Sequence, residues 1–240
     1  MRKITHDESA HGHHISRYLE DFVYGGIDGS VTTFAVVAGV QGASLASGIV
    51  VVLGFANLFA DGFAMAVGNF WSTRARDLQF DRAEAREKWE MDNLPKMERE
   101  EIRDIYKRKG FEGELLEKVV DKICSNREVW LQTMMIDELG MMKDRKYPVY
   151  SALMTFVAFN MVGIIPLLPY VTGIIFHFDV QSYFPYSIAM TAIALGVVGY
   201  VKGWVVGISK IKAAFQTMLI GGVAAAVSYT VGHLLKSFAA

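Results

Sequence analysis

Five apolar segments, each long enough to cross a lipid bilayer, constrain this chain more than any other feature of its sequence. They lie at about residues 22–42, 48–71, 149–171, 184–206 and 213–235, and a membrane-spanning helix needs about 20 apolar residues. Hydrophobic residues make up 52% of the 240 residues, which exceeds the share in ordinary soluble domains. Because backbone polar groups in lipid must be satisfied within their own segment, we predict five transmembrane helices.

Charged residues are concentrated between the second and third apolar segments. Residues 82–139 are rich in Glu, Lys and Arg and have a helix-forming composition. Helix-breaking residues interrupt this block at Asn93-Leu94-Pro95, at Lys109-Gly110 and near Ser125-Asn126, and such residues mark helix ends. The block is therefore predicted to contain about four helical pieces.

The fold class predicted from this division is an all-α integral membrane protein with a helical domain inserted between spans 2 and 3. Residues 1–20 form an N-terminal tail, 21–72 the first two transmembrane helices, 73–146 the inserted domain and 147–240 the last three helices. The tail has no apolar period, so we predict that its first 16 residues are mobile. The alternative is a metal-collecting role for its histidines His6, His11, His13 and His14.

Two patterns within the later spans predict local features. Pro166 and Pro169 lie in the third span, and we predict that they kink or end its helix. Gly199, Gly203 and Gly207 recur every four residues along the fourth span. Small residues at this spacing let a neighbouring helix approach closely, so we predict a helix-packing face.

Basic residues are distributed unevenly among the loops. Lys and Arg occur before the first span, in the charged block and around the link between spans 4 and 5, whereas residues 43–47 and 172–183 contain none. The positive-inside rule therefore places the N-terminus and the charged domain in the cytoplasm. The short tail favours a prokaryotic plasma membrane, with a vacuolar membrane as the alternative. We expect no nucleic-acid partner.

Acidic side chains in the charged block recur at helical spacing. Two pairs of glutamates are each three residues apart, and two methionines and a glutamate follow within one turn near the end of the block. Residues three or four apart share one face of a helix, and carboxylate and thioether groups bind divalent metals. On spacing alone, a solvated acidic surface is the alternative. The candidate ligands are Glu87, Glu90, Glu98, Glu101, Met134, Met135 and Glu138.

Inside the spans, the informative residues are Asp28, Asp61 and Met65. A carboxylate within hydrocarbon costs at least about 2.5–3.5 kcal/mol and usually has a functional role. A carboxylate together with a thioether suits ferrous iron or manganese better than magnesium. The alternative is an interfacial Asp28 that reaches the headgroups, with Met65 as an ordinary packing residue.

Several stretches, in the same order along the chain, carry a resemblance to a known family. They are Asp28-Gly29-Ser30-Val31-Thr32-Thr33-Phe34-Ala35, Ala60-Asp61-Gly62-Phe63-Ala64-Met65, Met134-Met135-Ile136-Asp137-Glu138-Leu139-Gly140, Ile165-Pro166-Leu167-Leu168-Pro169-Tyr170, Gly199-Tyr200-Val201-Lys202-Gly203 and Gln216-Thr217-Met218-Leu219-Ile220-Gly221-Gly222. Through these motifs, and over nearly the whole length from Asp21 onward, the chain resembles the vacuolar iron transporter family.

This resemblance implies a homodimer in a lipid bilayer that exports ferrous iron from the cytoplasm in exchange for protons. It implies that the seven candidate ligands of the charged block form a cytoplasmic metal-binding domain. It also implies a membrane pathway at the dimer interface that uses Asp28 and Met65, to which we assign Asp61 and Asp21 as well. Fe²⁺ is then the bound and transported ion, with Mn²⁺, Zn²⁺ and Co²⁺ as further candidates. No prosthetic group and no enzymatic activity are expected.

Two positions depart from the pattern of the family, and two other functions stay open. Many relatives carry an acid where this chain has Asn69, and some carry one at Asn57. One alternative function is a membrane-anchored carboxylate di-iron ferroxidase, although the charged block lacks the helical Glu-x-x-His pairs of such enzymes. The other is a non-transporting metal sensor or sink. Its spans would serve only as anchors, and an anchor does not need a carboxylate such as Asp28.

Overall fold

The computed structural model describes residues 9–143, 146–176 and 182–238, with side chains from Tyr18 onward. Within these ranges the chain is helical and contains no strand. The helices are α1 (Ser9–Gly42), α2 (Ser47–Asn93), α3 (Pro95–Arg108), α4 (Gly113–Cys124), α5 (Arg127–Thr133), a π-helix (Met134–Glu138), α6 (Pro148–Gly163), a 3₁₀ turn (Ile165–Leu167), α7 (Leu168–Phe176), α8 (Phe184–Val206), α9 (Lys210–Leu235) and a terminal 3₁₀ turn (Lys236–Phe238).

Five helical segments of the described chain are long and apolar enough to cross a membrane. The third combines α6, the 3₁₀ turn and α7, and the others lie in α1, α2, α8 and α9. This result confirms the prediction of an all-helical protein with five candidate membrane helices. The segments are Tyr18–Gly42, Ser47–Asn93, Pro148–Phe176, Phe184–Val206 and Lys210–Leu234.

The chain divides into two compact units. The membrane unit contains the residues up to Trp71 together with those from Lys146 onward, and the charged unit is Ser72–Arg145. The division falls within α2, so the apolar first half of this helix belongs to the membrane unit and its charged second half to the charged unit.

In the membrane unit, α1 is the central helix and packs against α6, α8 and α9. The C-terminal half of α1 contributes Phe34, Val37 and Ala38 to a buried cluster that also includes Leu167 and Tyr170. Close approach of α1 and α6 depends on Gly29, because a Cβ atom at this position would collide with the backbone carbonyl oxygen of Phe159. Small residues allow such close packing where no hydrophobic driving force exists between helices in lipid.

The prolines of the third span break its helix as predicted. α6 ends at Gly163, a 3₁₀ turn follows at Pro166, and α7 begins at Leu168. Proline has no N–H group and its ring clashes with the preceding turn, so the α-helical ladder cannot continue through it. The Ser187 hydroxyl of α8 donates a 2.7 Å hydrogen bond to the Pro166 carbonyl oxygen, which satisfies a polar group at the break.

The glycines of α8 have two different roles. A Cβ atom at Gly199 would lie 2.7 Å from Ala214 Cα, and one at Gly203 would lie 2.7 Å from Lys210 Cα. These two glycines therefore let α9 pack closely against α8. The prediction is wrong for Gly207, which has no neighbour within 4 Å of its Cβ position and ends α8 in a left-handed conformation with φ 74°. Glycine adopts this conformation at helix ends without steric cost.

α1 begins at Ser9, so residues 9–16 are helical although their sequence shows no helical pattern, and the mobility of the tail stays a prediction. Adding residues to an existing helix is much easier than nucleating a new one, so the span extends N-terminally into the polar stretch. His6 and the side chains of His11, His13 and His14 lie outside the described residues, and their metal-collecting role stays an alternative.

The charged unit has the predicted number of helical pieces, which are the end of α2 followed by α3, α4 and α5. The breaks fall at the predicted residues. Helices α3 and α4 pack against each other, and α5 leads into the π-helix. Their apolar faces meet in one buried cluster, which consists of Ile102, Ile105, Leu116, Val120, Ile123 and Met134. This core holds the helices that carry the acidic side chains.

Candidate metal centre

The turn between α2 and α3 positions four of the predicted glutamates. α2 ends at Asn93 and α3 begins at Pro95, which occupies the first helical turn, where its missing N–H group is tolerated. The Leu94 amide donates a 2.6 Å hydrogen bond to the Glu90 carbonyl oxygen and closes the turn. The three-residue spacing places each pair of glutamates on one face of its helix. The turn therefore allows the acidic faces of α2 and α3 to meet.

Three of these glutamates form a compact group. One carboxylate oxygen each from Glu87, Glu90 and Glu98 lie within 4.8 Å of one another. Glu87 is 3% exposed and Glu98 is 1% exposed, and the Oε2 atom of each is buried without a hydrogen-bond partner. A buried carboxylate without a partner is costly unless it is protonated or binds a cation. Among the described residues, this trio is the only acidic group with such geometry.

The acidic groups raise one another's pKa values. Burial, followed by the charges of Glu101 and Glu87, raises the pKa of the Glu98 carboxyl to about 8. Burial, followed by the charge of Glu138, raises the pKa of Glu87 to about 7. The pKa values of Glu101 and Glu138 are also raised, mainly by burial and by Glu90 among other charges. The five predicted glutamates therefore lie within electrostatic reach of each other, and the cluster holds protons near neutral pH.

Arg86 is a residue of this site that the spacing analysis missed. Its Nε atom donates a 3.0 Å hydrogen bond to Glu90 Oε1, and its charge lowers the pKa values of Glu87, Glu101 and Glu138 against the dominant upward shifts. Arg86 and Glu90 are four apart on α2, which is the spacing of helical ion pairs. This spacing could have revealed it.

The π-helix carries the remaining candidate ligands. The Leu139 amide donates to the Met134 carbonyl oxygen five residues earlier, and π-helical turns of this kind occur often at functional sites. Met134 is fully buried in the apolar core, and Met135 is 3% exposed. Glu138 is exposed, although its charge acts on Glu87 and Glu98. The metal-ligand role of the two methionines stays a prediction.

In the membrane unit, residues with polar or metal-binding side chains form a stripe along the apolar half of α2. Asn57, Asp61, Met65 and Asn69 recur every four residues, and this spacing keeps them near one face of the helix. Asn57 Nδ2 donates a 2.6 Å hydrogen bond to Asp61 Oδ2. Asp61 is exposed, while Met65 is partly buried.

The predicted pathway residues separate into two groups. Asp28 on α1 is partly buried and close enough to Asp61 for the two charges to interact. Asp21 lies seven residues earlier, which corresponds to about 10 Å along the helix axis. Asp28 and Asp61 therefore belong together, and Asp21 belongs to a separate group.

Asp21 on α1 is buried within a polar group that includes residues from two other helices and a loop. Asn69 Nδ2 donates to Asp21 Oδ1 at 3.0 Å and to Thr155 Oγ1 at 2.7 Å. Lys146 Nζ lies 3.7 Å from Asp21 Oδ2, and the side chains of Lys146 and Asp21 are only 14% and 12% exposed. The Asp21 charge is thus balanced by Lys146, a residue that the sequence motifs do not indicate.

Comparison with known proteins shows the wider relationship of this arrangement. The model of the VIT family matches residues 19–233, a range that contains both groups of membrane acids and the whole glutamate cluster. The chain belongs to the vacuolar iron transporter (VIT) family. This assignment confirms the resemblance that the motifs indicated, and the family is a family of transporters.

Individual members of the VIT family are similar over most of their length. A vacuolar iron transporter of Toxoplasma gondii is 34% identical across 98% of this chain and 80% of its own. Vacuolar iron transporter 1 of Oryza sativa is 33% identical, with 95% and 92% covered, and that of Arabidopsis thaliana is 32% identical, with 91% and 86% covered. Together with the five apolar helices, this similarity establishes a multi-pass integral membrane protein.

Proposed function

We propose that this protein exports ferrous iron from the cytoplasm in exchange for protons, and that manganese and other first-row divalent ions are secondary substrates. The observation that carries the proposal is the glutamate trio in the charged unit. Two of its carboxylates are buried with an unpartnered oxygen atom, and membership of the VIT family supplies the transport context. Carboxylates of this kind bind several divalent metals.

The charged unit collects the ion in this proposal. Glu87, Glu90 and Glu98 bind Fe²⁺, while Glu101 and Glu138 add negative charge, and Met134 and Met135 are further candidate ligands. Because the pKa values of Glu98 and Glu87 are about 8 and 7, ion binding displaces protons from the cluster at neutral pH. Proton release to the cytoplasm therefore accompanies the first step.

Asp28, Asp61 and Met65 carry the ion across the membrane in this proposal. A divalent ion binds the deprotonated carboxylates, and a proton from the far side replaces the ion when it leaves. Metal and proton thus occupy the same side chains alternately. The ion-paired Asp21 lies on α1 before Asp28 and forms the cytoplasmic end of the pathway.

The orientation and the oligomeric state are part of the same proposal. Positively charged loops favour a cytoplasmic N-terminus and a cytoplasmic charged unit, and the assignment to a prokaryotic plasma membrane stays a prediction. Asp61 is exposed on the apolar half of α2, beside Phe59 and Phe63, which are 57% and 65% exposed. A carboxylate facing lipid is costly, and a second copy of the chain that covers this face would remove the cost. We therefore propose a homodimer formed through α2.

Uptake into proteoliposomes tests the proposed function against its alternatives. Purified protein is reconstituted, and anaerobic uptake of Fe²⁺, Mn²⁺ and Zn²⁺ is compared for the wild type and for Asp28→Ala. We expect uptake by the wild type, with Fe²⁺ preferred, and no uptake by Asp28→Ala. Oxygen-dependent conversion of Fe²⁺ to Fe³⁺ without uptake would instead indicate a ferroxidase, and tight binding without uptake would indicate a sensor or sink.

A further inference from the structure

Asn160 of α6 packs against Gly62 of α2, the residue that follows Asp61, although no motif pointed to it. A Cβ atom at Gly62, the neighbour of Asp61 on α2, would lie 2.9 Å from Asn160 Nδ2. Phe159 precedes Asn160 on α6, and its carbonyl oxygen faces Gly29 of α1. Gly29 directly follows Asp28. Asn160 is therefore at the level of the membrane where α1 and α2 carry their carboxylates.

One polar atom of Asn160 has no partner. Its Nδ2 atom donates a 2.8 Å hydrogen bond to the Phe156 carbonyl oxygen one turn earlier, and this bond fixes which end of the amide is which, because a carbonyl can only accept. The Oδ1 atom is buried and has no hydrogen-bond partner. Leaving a buried acceptor unsatisfied is unfavourable, and polar groups inside membrane spans are usually functional.

A purely structural role does not explain the asparagine. Threonine hydroxyls donate the same bond to the carbonyl oxygen one turn earlier elsewhere in the membrane unit, as Thr172 does to Leu168 and Thr217 does to Ala213. Threonine at position 160 would make this bond without adding an unsatisfied acceptor. The amide oxygen is the group that needs a separate explanation.

We propose that Asn160 Oδ1 is a ligand of the divalent ion in the membrane pathway, together with the carboxylates of Asp28 and Asp61. This inference rests on the proposed function and adds a residue to its membrane site. An amide oxygen is a hard ligand that suits Mn²⁺ and Fe²⁺. It carries no charge and does not titrate, so the number of protons exchanged for the ion is set by the carboxylates alone.

Mn²⁺ binding to the full-length protein tests this inference. In a Glu87→Gln, Glu98→Gln background, the glutamate cluster is disabled and the membrane site dominates. Binding is followed by electron paramagnetic resonance of Mn²⁺. The parent background, which has Asn160, is compared with the same protein carrying Asn160→Thr, which keeps the hydrogen bond to Phe156. We expect Asn160→Thr to weaken binding about tenfold and Asn160→Asp to restore it. A thermal midpoint equal to that of the parent shows that the fold is intact.

The outcomes separate this inference from the proposed function. The role of Asn160 would be overturned if the parent background and its Asn160→Thr variant bound Mn²⁺ with equal affinity. It would also be overturned if the parent background bound no Mn²⁺. Transport by the wild type and its loss in Asp28→Ala are measured in parallel and report on the proposed function alone. If Asn160→Thr raises the KM for Mn²⁺ uptake and leaves the maximal rate within twofold, the ligand role is supported independently.

Discussion

At the scale of single residues, buried carboxylates without partners define the candidate metal centre. The spacing of Glu87 with Glu90, and of Glu98 with Glu101, could be read from the sequence because a helix repeats about every 3.6 residues. Arg86 has a comparable helical spacing with Glu90 and was overlooked, whereas Lys146 and Asn160 could not be identified in this way. Lys146, in a loop, and Asn160, on α6, acquire their positions from contacts between segments that are distant in sequence, and no single-helix pattern records such contacts.

Loss of one buried carboxylate should weaken metal binding. We expect Glu98→Gln to lower the Mn²⁺ affinity of the full-length protein at least about tenfold, because the substitution replaces the most buried carboxylate of the trio by an uncharged amide. Isothermal titration calorimetry in detergent measures the change. Glu114→Gln is the matched control, since the Glu114 side chain on α4 is 83% exposed and forms an ion pair with Lys118. Equal losses in both variants would contradict the assignment.

Metal binding at the cluster should strengthen as the pH rises. The pKa values of Glu87 and Glu98 are about 7 and about 8, so protons must leave before the carboxylates bind an ion. We expect the apparent Mn²⁺ affinity to increase between about pH 6 and pH 8.5, with proton release detectable as a dependence of the calorimetric enthalpy on the buffer. An affinity that is flat over this range would be incompatible with the buried, protonated cluster.

The same pKa values predict the opposite trend for the stability of the metal-free protein. Folding raises the pKa of these carboxyls above the usual 4.5, so the folded state binds protons more tightly than the unfolded state. Their contribution to stability is fully present below about pH 4.5 and is lost as the pH rises to about 8. We expect the thermal midpoint to fall from about pH 5 to pH 8.5, and Glu98→Gln to reduce this fall. A midpoint that rises over the same range in both proteins would show that other groups dominate.

At the scale of secondary structure elements, the sequence predicted helix ends where proline or glycine dictates them. The breaks near Pro95, Gly110 and Pro166 fall where expected. The N-terminal extension of α1 and the π-helix at Met134–Glu138 were not predicted. An extension depends on the stability of the span that it joins, and a π-turn depends on the packing of its flanks, so neither has a local composition signal.

Packing of α8 against α9 can be tested through glycine substitutions. We expect Gly199→Leu to destabilise the protein by about 1–3 kcal/mol, because a side chain at this position would collide with the backbone of Ala214. Gly222→Leu on α9 is the matched control, since its Cβ position has no neighbour within 4 Å. Thermal unfolding in detergent compares the two variants. A larger effect for Gly222→Leu would show that the two helices pack differently.

At the scale of the whole molecule, the five spans were predictable because lipid allows few backbone structures and fixes the length of each helix. The division into a membrane unit and a charged unit follows the concentration of charge in the sequence. Dimerisation had no signal of its own in the sequence and entered only through the resemblance to the family. In the structure, Asp61 and its apolar neighbours on α2 are exposed. This exposure is a physical reason for a dimer.

The proposed dimer can be tested by cross-linking. In a Cys124→Ser background, which removes the single native cysteine, we expect Phe63→Cys on α2 to form a disulfide-linked dimer under oxidation in native membranes. Leu219→Cys on α9 is equally suited to reaction, since Leu219 is 57% exposed, and should remain monomeric. Cross-linking of Leu219→Cys alone would place the dimer interface on α9 instead.

A single flux measurement can show whether inward movement of protons drives metal export. Proteoliposomes with an acidic lumen are supplied with external Fe²⁺ under anaerobic conditions, and luminal metal and luminal pH are followed together. We expect faster Fe²⁺ uptake than without a pH gradient, accompanied by alkalinisation of the lumen, and loss of both signals in Asp28→Ala. Fe²⁺ uptake that is insensitive to the gradient and leaves the luminal pH unchanged would contradict proton-driven export.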